Sequence, residues 1–130
     1  EENKIVDQAQ QVMGNLSQKG HMVTTSQIRK FLTAVNTVTE KVNAYKLEKT
    51  DDYDTLPVEL QAQIKYLKVK LAYQIGRNRS KWGNPVEDFE KEARLMSLID
   101  GIKSSTKEYE KFAHYIEALV AFHKFYGGKD

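Results

Sequence analysis

Residues 57–82 read PVELQAQIKYLKVKLAYQIGRNRSKW, and their spacing decides the fold. Leu60, Ile64, Leu67, Leu71, Ile75 and Trp82 recur at intervals of three, four and seven. At about 100° per residue these six fall within one arc of about 80°, the apolar stripe of a helix that buries one side. A strand would need sustained alternation at every second position, and no β-alternating segment competes with the helical period here. Pro57 suits a first helical position, where its missing N–H leaves no bond unmade. Gly83-Asn84-Pro85 supplies the break, so the stretch predicts a helix over 57–82.

The same period continues in both directions. Ile5, Ala9, Val12, Met13 and Leu16 form a stripe closed by Gly20, predicting a helix over roughly 4–18. Thr24-Thr25-Ser26 offers capping hydroxyls ahead of Ile28, Phe31, Leu32, Val35, Val38, Val42 and Tyr45, predicting a helix over 26–49. Asp51-Asp52-Tyr53-Asp54-Thr55 reads as a polar connection. Beyond the central helix, Val86, Phe89, Ala93, Met96, Ile99 and Ile102 predict a helix over 86–103. Ser104-Ser105-Thr106 then opens a last helix, 106–126, stopped by Gly127-Gly128. Short connections between amphipathic helices make antiparallel neighbours. The expectation is an all-α protein: a single five-helix bundle, one domain across 1–130.

Several chemistries are excluded by composition. There is no cysteine, which removes disulfides and thiolate metal sites. No window approaches the roughly 20 apolar residues that span a bilayer, and residues 1–20 lack the apolar run of a signal peptide. A cytoplasmic setting without membrane contact is therefore expected. Asp51, Asp52 and Asp54 lack the glycine and distal glutamate of a calcium loop. His114 and His123 stand nine residues apart on one helix, hence on opposite faces, and His123 falls on the core stripe. With no phosphate-cradling loop and no nucleophile elbow, no catalytic residue, metal, cofactor or small-molecule substrate is expected.

Charge is distributed unevenly. The formal net charge is only +2, yet Lys65, Lys68, Lys70, Arg77, Arg79 and Lys81 occur within 65–81 with no acidic residue among them. On the wheel, Lys65, Lys68 and Arg79 flank the apolar arc on one side, and Lys70, Arg77 and Lys81 on the other. Between the rows lie the small outer residues Val69, Ala72 and Gly76. A helical glycine costs roughly 1 kcal/mol relative to alanine, which a close approach by a nucleic-acid backbone or a neighbouring subunit would explain. Basic rows about a turn apart suit successive phosphates; a solvated lysine face is the competing reading. Arg29 and Lys30, early in the second helix, extend the same surface and gain nothing there from the helix dipole.

The last helix is rich in aromatic residues. Tyr109, Phe112, Ala113, Ile116, Leu119, Val120 and His123 make its core stripe, while Tyr115, Phe122, Phe125 and Tyr126 widen the apolar arc beyond half the circumference. Those four are either a subunit interface or the sign of a helix packed centrally between neighbours.

Several strings carry a family resemblance. Thr24-Thr25-Ser26-Gln27-Ile28-Arg29 opens the second helix, and Tyr66-Leu67-Lys68-Val69 leads to Tyr73-Gln74-Ile75-Gly76-Arg77. Glu117-Ala118-Leu119-Val120-Ala121-Phe122 and Lys124-Phe125-Tyr126-Gly127-Gly128-Lys129-Asp130 close the chain. Over roughly 22–130 the chain resembles the small helical subunit of the type III-A CRISPR effector, the Csm complex. The resemblance implies a five-helix subunit without enzyme activity, acting in antiviral defence. It also implies that copies stack head to tail as an inner filament along guide RNA and target RNA, beside other effector-complex subunits that cut nucleic acid. Arg29, Lys68 and Arg77 are the RNA-binding positions implied by matching motifs; Lys65, Lys70, Arg79 and Lys81 follow from the wheel. A glutamine, Gln27, stands where the family pattern leads one to expect a basic residue. Two other readings remain at this point: a helical protein-interaction module without nucleic-acid binding, and a small RNA-cleaving toxin.

Overall fold

The computed structural model describes residues 2–49 and 53–130, so Asp51 and Asp52 of the expected polar connection lie outside it. The described residues form six helices: α1 Glu2–Gln18, α2 Thr25–Glu48, α3 Val58–Arg77, α4 Pro85–Ala93, α5 Leu95–Ile102 and α6 Thr106–Phe125. All-α is correct, and the expected count of five is corrected to six. One continuous core runs through them, from Ile5 and Met13 through Phe31, Leu67 and Phe89 to Tyr109 and Leu119.

Two helix pairs organise this core. α2 and α3 are antiparallel: Lys41 Nζ donates to Gln63 Oε1, and Tyr45 donates to the Thr55 carbonyl near the connecting loop. α1 packs mainly on α6. α4 and α5 close the gap between the pairs, and α6 touches α1, α2 and α5. That central position answers the wide aromatic arc of α6. Tyr115, expected at a subunit interface, is only 7% exposed, and its hydroxyl donates to the Ala93 carbonyl at 3.1 Å. Val120, expected in the core stripe, is exposed instead.

The fourth predicted helix is two helices because Arg94 adopts φ 59°, ψ 41°. Val86, Phe89 and Ala93 bury one face of α4, whereas Leu95, Ile99 and Ile102 bury one face of α5. Ala93 and Leu95 are two residues apart, about 200° on a continuous helix, so no straight helix buries both. The left-handed residue resets the phase. Glu90 Oε2 then accepts from Met96 N–H at 3.3 Å, satisfying a donor at the start of α5.

α3 also ends earlier than its apolar spacing predicts. Asn78 Nδ2 donates to the Gln74 carbonyl at 2.7 Å, and Asn84 Nδ2 donates to the Ile75 carbonyl at 2.8 Å. Two side-chain amides thus take the last carbonyls, and Ser80–Gly83 turns the chain into α4. Arg79 and Lys81 sit in that turn rather than on the helix. Trp82, expected in the core, is 79% exposed, with Lys81 Nζ 5.1 Å from its ring centre.

Candidate nucleic-acid interface

Thr24 opens α2 with a reciprocal cap: its hydroxyl accepts from Gln27 N–H, and Gln27 Oε1 accepts from Thr24 N–H at 2.9 Å. The glutamine that departs from the expected basic residue therefore has a structural duty at the third helical position. The chain's last residues cover the same helix start. Thr25 N–H donates to the Lys129 carbonyl and Ser26 N–H to the Asp130 carbonyl, at 3.1 and 2.8 Å.

The glycines of the closing motif make this docking possible. Gly127, at φ +85°, and Gly128 donate to the Lys124 and His123 carbonyls, the paired bonds of a Schellman stop. A side chain at Gly128 would meet the His123 ring at 2.4 Å. That ring is buried and its Nε2–H donates to the Val23 carbonyl at 2.6 Å, so His123 is a satisfied core residue, as its position on the stripe predicts.

On this frame the cations fall into separate groups. Lys65 and Lys68 project from α3 toward α5, where both reach Asp100: Lys65 at 2.9 Å, Lys68 at 2.9 and 3.0 Å to its two oxygens. The Lys68 hydrogen bond, then that of Lys65, holds the Asp100 carboxyl below its ordinary range. Two of the three cations of one predicted row are thereby partly neutralised by a residue more than thirty positions away.

The opposite flank of α3 differs. Lys70 faces α2 across a groove of about 760 Å³, with Arg29, Lys30, Thr33, Gln63 and Tyr66 among its walls and no acidic residue lining it. The Asp130 carboxyl, held below its ordinary range chiefly by Lys124, also feels the Arg29 charge, and Arg77 is exposed at the last turn of α3. Gly76 lies on the same outer surface, and a side-chain carbon added there would meet nothing within 4 Å. The fold itself therefore does not require glycine at that position. The structure brings Arg29 and Lys70 together, sets Lys65 and Lys68 aside with Asp100, and leaves Arg79 and Lys81 in the following turn.

The remaining candidate interface residues are on α6 and just beyond. Phe122 and Tyr126 are half-buried, with Tyr126 resting against Gly14 of α1, whereas Phe125 is 71% exposed. The three rings stack edge to face, at centre distances of 6.3 and 5.0 Å. No helix among the described residues is long and apolar enough to cross a membrane.

The family model described as Csm2 Type III-A matches residues 1–129. A Streptococcus thermophilus protein named CRISPR system Cms protein Csm2 is 34% identical over 128 residues, spanning 96% of this chain and 93% of its own. Proteins of the same name from Mycobacterium tuberculosis and Enterococcus italicus are 30% and 32% identical. These span 96% and 95% of this chain and 93% and 84% of their own lengths. Matched along nearly its whole length, this chain belongs to the Csm2 family of type III-A CRISPR systems.

Proposed function

We propose that this chain is the non-catalytic small subunit of a type III-A RNA-guided effector complex acting in antiviral defence. In this reading it holds the guide and target RNA backbone through the cationic face of α2 and α3. It works beside other effector subunits and further copies of itself stacked as an inner filament. The observation that carries the RNA assignment is the α2–α3 groove, where Arg29, Lys30 and Lys70 converge without a lining carboxylate. Phosphates neutralised there would make binding tolerant of sequence and sensitive to salt. Arg77, Arg79 and Lys81 extend the surface toward the end of α3, and Lys65 and Lys68 contribute less while Asp100 holds them.

The test is RNA binding by Arg29→Gln/Lys70→Gln/Arg77→Gln. Removing three phosphate contacts should weaken binding across sequences and flatten the dependence of log K on log salt by about 2, at roughly 0.7 per contact. Unchanged affinity and slope at low salt would overturn the RNA assignment. RNA hydrolysis by the purified chain would overturn the non-catalytic one.

A specific observation favours a second reading, that of a protein-interaction module. Phe125 and Trp82 expose most of their rings, and such surface suits a subunit contact. A purified complex free of nucleic acid would select that reading over the first.

A further inference from the structure

Tyr66 and Tyr73 lie on the outer face of α3, 56% and 58% exposed. They are seven residues apart, so about 10.5 Å separates them along the helix axis at 1.5 Å per residue. Each ring has an ammonium over it. Lys70 Nζ is 5.8 Å from the Tyr66 ring centre, and Lys30 Nζ is 6.0 Å from that of Tyr73. Val69 and Ala72, both exposed, continue the low surface between the rings, and Gly76 extends it one turn beyond Tyr73.

Trp82, also exposed and with Lys81 Nζ 5.1 Å from its ring centre, does not line the α2–α3 groove. Val58 and Leu47 are aliphatic and offer no π face, and the Phe125 ring packs against Phe122 and Tyr126. At Tyr66 and Tyr73 an exposed ring and a cation over it occur together, and Tyr66, Lys30 and Lys70 line a groove with no carboxylate in its walls. Stacking of a base on a ring with an adjacent cation for phosphate is how single strands are held without sequence preference. An A-form duplex presents phosphates and 2′-hydroxyls but keeps its base faces stacked inside, so it cannot use these rings. The ring spacing is also about three times the 3.4 Å rise between neighbouring nucleotides of a stacked strand. A splayed strand can reach both.

We infer that Tyr66 and Tyr73 are stacking platforms for unpaired nucleobases, with Arg29, Lys30 and Lys70 taking the adjoining phosphates. This rests on the RNA assignment above and narrows it to unpaired or flipped-out nucleotides on this face.

The test titrates the intact chain at low ionic strength with a short single-stranded oligoadenylate carrying 2-aminopurine, and with a blunt RNA duplex of the same length. Tyr66→Leu/Tyr73→Leu keeps apolar bulk and removes the π faces; Tyr66→Phe/Tyr73→Phe keeps the faces and removes only the hydroxyls. The expected result is single-strand affinity lowered at least about fivefold per ring in the leucine variant. Duplex binding and the salt slope should be unchanged, and the phenylalanine variant should retain both affinity and 2-aminopurine quenching. Wild-type single-strand affinity in the leucine variant overturns the inference; if Arg29→Gln/Lys70→Gln still weakens binding, the RNA assignment survives. Equal losses on single strand and duplex also overturn it, since a paired strand offers no free base. No RNA binding by any form overturns both.

Discussion

Lys68 Nζ lies 2.9 and 3.0 Å from the two carboxylate oxygens of Asp100, the one acidic residue of α5, tying α3 to α5. Lys65 shares the first oxygen. These pairs are solvent-exposed, so they add little to stability, but they decide which lysines are free for an anionic partner. Asp100→Asn should release both. Single-stranded RNA binding should strengthen, and the salt slope should steepen by about 0.7 for each lysine that gains a phosphate. Thermal stability should barely move. Fluorescence anisotropy across a salt series measures both quantities; an unchanged slope would mean that neither lysine lies within reach of RNA.

Gly76 supplies a second prediction. The fold places nothing near it, so Gly76→Ala should stabilise α3 by about 1 kcal/mol through helix propensity. If an RNA backbone or a second subunit approaches closely there, the same methyl should weaken RNA binding or complex assembly while raising the melting temperature. Opposite signs in the two measurements would locate the reason for the glycine outside this chain.

The apolar stripe of α3 from Leu60 to Ile75 was legible because burial on one side imposes the helical period directly on sequence. Trp82 fits that period equally well, but Asn78 and Asn84 turn their amides onto the last carbonyls and end the helix. Wheel arithmetic carries no information about such caps. The break at Arg94 was hidden similarly: Met96 matches the spacing of Ala93, yet Leu95 is the residue buried. Tyr115 stands on the edge of the α6 arc and is buried because α6 has neighbours on more than one side. The expected basic element was legible as composition. Its division between Asp100 and the groove was not, since Asp100 meets Lys65 and Lys68 only through tertiary packing.

Lys103 occupies φ 52°, ψ −118° in the turn Ile102–Ser105, closed by Ser105 N–H donating to the Ile102 carbonyl at 3.0 Å. These angles belong to the first central position of a type II′ turn, where glycine is preferred. The turn matters because the Ser104 carbonyl accepts from Leu56 N–H at 2.8 Å, joining the α2–α3 connection to the start of α6. Lys103→Gly should relieve the strain and stabilise the protein by about 1 kcal/mol. Chemical denaturation reads it; a lower midpoint would show that the lysine side chain contributes more than its backbone costs.

Gly128→Ala should act in the opposite direction. Its methyl would collide with the buried His123 ring, so either the ring or the tail must move. Losing the tail uncovers the Thr25 and Ser26 N–H groups at the start of α2. Increased hydrogen exchange at those two amides, with the α3 amides unchanged, is the expected signature. Unchanged exchange would mean that the tail accommodates the methyl without leaving its site.

Alkaline stability depends on two buried phenols. Burial pushes Tyr109 and Tyr115 up to about 12 from an ordinary value of 10.0, with Thr39 hydrogen bonding opposing the shift at Tyr109 and the Arg94 charge opposing it at Tyr115. Both are raised, so the folded state holds their protons more tightly than the unfolded chain does. Their contribution is complete below pH 10 and is lost as the pH rises toward 12, because only the unfolded chain releases protons in that interval. Stability should therefore fall between pH 10 and 12 with a slope of up to two protons from these groups. Tyr115→Phe should cost about 1 kcal/mol at neutral pH, through the lost bond to the Ala93 carbonyl, and remove one proton from the alkaline slope. Denaturation midpoints across that range separate the two effects, since a packing defect alone would lower the curve without flattening it.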